Sequence, residues 1–323
     1  MTATVTRFSK PSKSSTDFAS RTVNLLLGIK PIASFAKNRA RSMMIQRAEE
    51  LGIPWRSQAE TLQKRDWSND MAAVENPDLA YPDYYLDSFH AYEEGNLGWF
   101  PATEVEVAAY TVHSKIWGDQ NRDGDARMRQ SFTRLVKAYF ENNPRLETPQ
   151  AIADLGCSVG MSTFALQDTF PRAQLTGIDL SPHFLAVARY NTDHSAMNRL
   201  HTQPHWVHAA AEDTKLPDNS FDLITTSLMF HELPQSAAIA ILQEAQRLLK
   251  PGGTFALMDM NPQSHTFQTI PPFVFTLLKS TEPYLDQYLQ LDLAQSITDA
   301  GFNPPTITVN TPRHRTVIAT TPR

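Results

Sequence analysis

The chain has one cysteine in 323 residues, Cys157, which excludes an intrachain disulfide framework and any zinc site built from several thiolates. A lone thiol suits a reducing compartment, so a cytoplasmic setting is expected. Long apolar runs are also missing, and no stretch approaches the length of a membrane span. Strong basic charge is lacking as well: the net charge is −5, which gives no reason to expect a nucleic-acid partner. Metal-binding patterns are thin. The His-Glu-Leu at His231 lacks the second histidine of a zincin helix, since Gln235 stands there. His201, His205 and His208 sit in a Pro204-containing loop without a nearby acid and read as surface histidines, so no metal is expected. No internal repeat is visible.

The charge that is present is uneven. Residues 1–60 hold ten Lys/Arg against four Asp/Glu, so the front is basic and the remainder acidic. Residues 1–20, rich in Ser, Thr and Lys without the apolar core of a signal peptide, read as a disordered arm. From Thr22 to Leu51 a helical pair interrupted around Pro31 is expected, with Leu25, Leu26, Leu27, Ile32 and Phe35 against Lys30, Lys37, Arg39 and Arg41. Such a basic amphipathic stretch can rest on an anionic membrane, and peripheral contact through residues 21–51 is one reading. Packing on its own protein with a solvated basic face is preferred, because charge runs are usually solvated surface.

The most informative stretch is AIADLGCSVGMS, from Ala151 to Ser162. A short apolar strand runs into an acid and two closely spaced glycines, and the residues after Gly160 have helical spacing. A helix start at that turn would point its free N–H groups at a ligand. Three ligands could explain it. A dinucleotide wants GxGxxG, but Ser158 and Met161 stand at the second and third glycine positions. A nucleophile elbow fits GCSVG and would make Ser158 the nucleophile of a serine hydrolase. S-adenosylmethionine is the third, with the turn wrapped around its amino-acid end.

The last reading is where the chain resembles a known family, the class I S-adenosylmethionine-dependent methyltransferases, in the branch with quinone and small-molecule enzymes. DLGCSVG resembles the family's first motif, and LTGIDLSP puts Asp179 at the end of a second strand, 19 positions after Gly160. AAAEDTKLPDNSFDLITTSLMFHEL resembles the adenine segment leading into the fourth strand, and LLKPGGTFALMD a helix, a Pro-Gly-Gly turn and the fifth strand. The resemblance spans Thr148 to Met260. It implies an α/β fold: a Rossmann-like seven-stranded, mostly parallel sheet with an antiparallel last strand, plus an N-terminal helical lobe. It also implies S-adenosylmethionine as cofactor. The turn residues Asp154, Gly156, Cys157, Ser158 and Gly160 would hold its methionine end. Asp179 would accept from both ribose hydroxyls, with Leu180, Ala211, Glu212 and Ser227 completing the cofactor site. Two departures stand out. Ala209 and Ala210 replace the Gly-Asp that many members carry, which shifts adenine recognition toward backbone near Ala211 and toward Glu212 or Asp213. Ser158 replaces a common glycine.

Organisation follows. Residues 1–20 form the arm, 21–147 a helical and aromatic-rich lobe, and 148–323 the methyltransferase domain. Between Tyr81 and Trp117 the lobe gathers many rings, and Tyr85, His90, Tyr92 and Trp99 are the candidates for an acceptor pocket. Beyond the fifth strand, Pro271, Phe273, Phe275 and Leu278 suggest apolar acceptor contacts or core, and a helix is predicted from Glu282 to Ala300, closed by Gly301. Short β runs at Thr306–Val309 and Thr316–Ala319 end the chain. His231, after the fourth strand, is the candidate general base, since histidine titrates in the useful range; bonding to backbone is the alternative. The function expected is methyl transfer to a small, partly hydrophobic or aromatic acceptor. The alternatives are a serine hydrolase through Ser158 and a non-catalytic cofactor-binding protein on the same fold.

Overall fold

The structure is a computed structural model, and it describes residues 30–86, 92, 95–194 and 202–323. The expected arm at residues 1–20 and the first part of the predicted helical pair lie outside them. Helix α1 (Lys30–Glu50) runs unbroken, with Pro31 in its first turn. A first-turn proline gives up an N–H that has no intrahelical acceptor, and the segment that the expected break would separate from α1 lies outside the described residues. Helices α2 (Trp55–Gln63), α3 (Ser68–Val74), α4 (Trp99–His113) and α5 (Gly124–Glu141) complete the lobe.

A seven-stranded sheet follows, in the order β3-β2-β1-β4-β5-β7-β6. Its strands are β1 (Ala151–Leu155), β2 (Gln174–Asp179), β3 (His205–His208), β4 (Phe221–Ser227), β5 (Leu249–Met260), β6 (Thr306–Val309) and β7 (His314–Thr320). Strands β1 to β5 pair in parallel, and β7 runs antiparallel to both β5 and β6, as the sequence led one to expect. Helices α6 (Met161–Thr169), α7 (Pro182–His194) and α8 (Gln235–Leu248) make the crossovers. The helix expected over Glu282–Ala300 is divided. After α9 (His265–Gln268) come α10 (Pro272–Thr281), α11 (Leu285–Gln290) and α12 (Leu293–Asp299). The division falls where Asp292 turns its carboxylate to cap α12 at the Gln295 amide, 3.0 Å away.

Alternation along β1 fixes the two core layers, because successive strand residues point to opposite faces. Ile152 joins Leu175, Leu223 and Met258 under Met128, Phe132 and Val136 of α5. Ala153 and Leu155 join Ile224 and Leu257 under Ile241, Leu242 and Ala245 of α8. With both faces covered, the carboxyl ends of the parallel strands are left to build a site, as open α/β sheets generally arrange.

Candidate cofactor and acceptor site

The turn after β1 is held by main chain. The amides of Gly156 and Cys157 both donate to the Ile178 carbonyl, at 2.8 and 3.1 Å, and the Ser158 amide donates to Asp179 Oδ2 at 2.7 Å. Gly160 caps α6 at φ 89°, and a Cβ there would lie 2.8 Å from the Trp206 ring and 2.9 Å from Phe164. Gly156 is also left-handed, at φ 69°, but a Cβ on it would meet Met229 Sδ at 2.3 Å. The space over Gly156 thus holds a flexible methionine side chain.

Asp154 differs from expectation. It is fully buried, and its carboxylate accepts from Ser162 Oγ (2.6 Å), Thr163 Oγ1 (2.7 Å) and Thr225 Oγ1 (2.9 Å). Three buried hydroxyls commit it to fixing the start of α6 against β4, so a direct cofactor contact is not the role this geometry gives it. Cys157 is buried, and burial pushes its thiol well above the usual range, so it is no nucleophile.

Asp179 ends β2 with one oxygen on the Ser158 amide and the other on the Ser181 amide at 2.8 Å. Burial pushes its carboxyl up, the two amides pull it down, and neighbouring Glu232 and Asp154 push it up again, to about 6. The next residue, Leu180, offers its carbonyl to His208 Nε2 at 2.9 Å. His208 also accepts at Nδ1 from the Asn76 amide (2.9 Å) and lies 3.2 Å from the Tyr81 hydroxyl. It is buried, not the surface histidine the loop composition suggested; a strand-end imidazole here ties the lobe to the sheet. His205 remains exposed, and His201 lies outside the described residues.

Around the adenine side, Ala211 is buried in a one-bridge turn between Ala210 and Asp213. Glu212 accepts from Tyr84 Oη at 2.7 Å, and burial with that acid beside it pushes the Tyr84 phenol far above its usual range. Four buried polar atoms along these strand ends have no hydrogen-bond partner among the described residues: Ser158 Oγ, Glu212 Oε2, Thr226 Oγ1 and Ser227 Oγ. Buried polar atoms normally find partners, so these fit a polar ligand laid across the turn. Among the described residues no base reaches the Ser158 hydroxyl, which counts against the hydrolase reading.

The acceptor end centres on His231, in a single turn of helix (Phe230–Glu232) after β4. Its Nδ1 lies 2.7 Å from Asp259 Oδ1 at the end of β5, and its own amide donates to Asp259 Oδ2 at 3.3 Å. Burial works against a charged ring, but Asp259, then Glu282 and Glu232, outweighs it and pushes the imidazole up to about 10. A ring pushed up in this way favours its protonated form, which counts against the general-base role. In this state it is a hydrogen-bond donor.

Of the four aromatic candidates, Tyr85 is half-buried and stacks on Tyr81 at 6.3 Å; burial pushes its phenol well up, with the charges of Asp179 and Glu232 adding to the effect. Tyr92 donates to Glu104 Oε2 at 2.8 Å, an acid also held by Arg41, so it braces α1 against α4. Trp99 stacks on Trp67 at 5.2 Å and meets His183 edge-on at 4.7 Å, inside the cluster joining lobe and sheet. Both rings are half-buried and engaged in these contacts. His90 lies outside the described residues. Sequence reasoning missed Asp259 and Glu282, although a charged residue ending a buried strand is itself a signal that a partner must exist. A cleft of ≈ 690 Å³ between α2, α4, α5 and α6 lies behind the cofactor turn, where Val159 and Met161 line it.

A family profile described as a methyltransferase domain matches residues 152–253, the part that builds this turn and these strand ends. An uncharacterised methyltransferase of Synechocystis sp. is 32% identical over 160 residues, covering 50% of this chain and 70% of that protein. The chain belongs to the class I S-adenosylmethionine-dependent methyltransferases. A demethylmenaquinone methyltransferase of Staphylococcus haemolyticus is similar at 29% over 170 residues, covering 46% of this methyltransferase and 67% of the relative. A presumptive O-methyltransferase of Nostoc punctiforme shares the fold, with a TM-score of 0.51 at 16% identity over 79% of this chain and 68% of that one. As a methyltransferase the protein uses S-adenosylmethionine, and no helix among the described residues is long and apolar enough to cross a membrane.

Proposed function

We propose that this enzyme transfers the methyl group to a small, partly apolar acceptor held between the lobe and the carboxyl ends of β4 and β5. The observation that carries this is the short helical turn Asp83–Tyr85: Tyr84 is bonded to Glu212 at 2.7 Å and its ring meets Tyr284 edge-on at 6.3 Å. The lobe thereby roofs the strand ends and presents Tyr85 toward Asp179 and Glu232. Partly buried Met229, Met260, Phe275 and Leu278 pack nearby against the core and supply an apolar wall. The demethylmenaquinone methyltransferases among its relatives support an acceptor of quinol-like character.

Bound S-adenosylmethionine supplies an activated methyl on a sulfonium. The chain's task is to hold the acceptor in line, exclude water and manage its proton. In this reading Asp179 accepts from the ribose hydroxyls, while Ser158 and Glu212 engage the methionine end and the adenine. His231, fixed by Asp259, donates from Nε2 to an acceptor oxygen and favours its anion. The single buried thiol supports a reducing, cytoplasmic setting. The test is turnover of labelled S-adenosylmethionine against a panel of quinols and phenols. Tyr85→Ala should raise the acceptor's KM severalfold with affinity for S-adenosylhomocysteine unchanged, and an unmoved KM would remove Tyr85 and its turn from the acceptor site.

A further inference from the structure

The His-Glu pair at 231 and 232 has no second histidine one helical turn on, and the sequence accordingly promised no metal. The fold brings the third donor from the far side of β5. One ligand atom each from His231, Glu232 and Glu282 lies within 4.8 Å of the others, and His231 Nε2 is 4.0 Å from Glu232 Oε1. Three donors on one ion at about 2.1 Å would stand roughly 3 to 3.5 Å apart, so a small side-chain rotation of the two glutamates closes the set.

Two further observations favour a cation here over a plain ion-pair network. His231 is 6% exposed, and Nε2 makes no hydrogen bond among the described residues; it lies 4.0 Å from Glu232 Oε1. Its other nitrogen is committed to Asp259, which is itself fully buried and held by the Met260 amide at 2.6 Å. A carboxylate behind the distal ring nitrogen is how metal-bound histidines are oriented.

We infer that His231, Glu232 and Glu282 form a binding site for a first-row divalent cation, with Asp259 as the positioning residue behind the histidine. One nitrogen and two carboxylate donors suit Mn²⁺, Fe²⁺ or Zn²⁺ better than Mg²⁺ or Ca²⁺, which prefer oxygen alone. Three protein ligands leave positions open, and these face the acceptor end. The inference rests on the proposed reading of that end as the acceptor site: the cation takes over from Nε2–H the task of holding an acceptor oxygen as its anion.

The test is calorimetric titration of the chelator-treated full-length protein with Mn²⁺ and with Zn²⁺, read beside the electron paramagnetic resonance of bound Mn²⁺. Expected is about one ion per chain, with affinity lowered at least tenfold in Glu282→Gln and in Glu232→Gln. Mg²⁺ should bind more weakly than either probe. Each variant is checked for S-adenosylhomocysteine binding, which should stay within twofold of the parent. That control separates the two readings, since lost nucleotide binding would indict the fold or the cofactor site and not the cation. No binding of either probe below 1 mM to protein that still binds S-adenosylhomocysteine overturns the inference. Equal affinity in the parent and both glutamine variants overturns it too, as does saturation by an alkylammonium with neither metal competing.

Discussion

Protonating Asp179 should weaken cofactor binding, and its size can be worked from the site. The carboxyl is pushed up to about 6 by burial and by Glu232 and Asp154, against the pull of two backbone amides. Ribose hydroxyls donate to the ionised form, so affinity should be constant above pH 7 and fall as the pH drops through 6. At pH 5 only about a tenth of the free protein carries the carboxylate, which predicts roughly a tenfold loss, or about 1.4 kcal/mol. The stability sign is opposite to that of a paired acid. A carboxyl raised from 3.8 to about 6 costs the folded state roughly 3 kcal/mol when fully ionised, so this contribution destabilises as pH rises from 4 to 6 and is relieved on acidification. Asp179→Asn removes that cost while losing part of the bonding to the Ser158 and Ser181 amides, and the two effects roughly cancel. The variant should therefore fold, bind S-adenosylhomocysteine at least tenfold more weakly at pH 7.5, and show no pH dependence through 6. Calorimetry from pH 5 to 8 on both proteins is the assay. A flat parent profile, or an asparagine variant with parental affinity, would refute the assignment of Asp179 to the ribose.

Replacing His231 with Ala should lower turnover by about a hundredfold or more while leaving S-adenosylhomocysteine affinity intact, because the ring belongs to the acceptor end; intact turnover counts against that placement. Gly160→Ala should destabilise by about 1 to 3 kcal/mol, seen as a lower Tm, since a side chain at φ 89° would press on Trp206 and Phe164. Tyr84→Phe leaves Glu212 short of its 2.7 Å donor and should weaken cofactor binding severalfold, measured by the same calorimetry. Deleting residues 1–117 should yield protein without a cooperative thermal transition, and a folded, cofactor-binding truncation would contradict the packing described for α2 and α4.

What the sequence disclosed was local. The apolar run of β1, the glycines that bend after it and Asp179 at the next strand end all lie within thirty residues of one another, and each has a steric or bonding reason that composition exposes. The site residues that escaped notice are joined by strand register instead. Asp259 reaches His231 because β5 pairs with β4, Ser227 opposite Met258, which no periodicity encodes. Glu282 arrives from beyond α10, where an acid in a loop looks like solvated surface. His208 was misjudged for a related reason: a histidine among loop residues is ordinarily exposed, and only the return of Asn76 and Tyr81 from the lobe buries it. Tyr92 and Trp99 erred in the other direction, since aromatic richness cannot separate a ring that lines a pocket from one that fills a joint.

That joint changes how the lobe is to be understood. A boundary near residue 147 is natural in the chain, between α5 and β1, yet α5 supplies the layer that covers Ile152, Leu175 and Met258 on one sheet face. Leu62, Trp67 and Ala102 from α2 to α4 pack with Val159, Phe184 and Val187, the residues that carry the cofactor turn and the start of α7. Ser181, whose amide donates to Asp179, gives its hydroxyl to the Asn96 carbonyl at 2.6 Å. The lobe is thus bonded, through Asn96 and through Tyr84 on Glu212, to the loops that the proposed reading assigns to the nucleotide. Shifts in either are transmitted through packed side chains with little room to deform. Acceptor and cofactor affinities are therefore expected to be coupled where a lobe substitution breaks the Tyr84–Glu212 bond, and not where it only trims the Tyr85 ring.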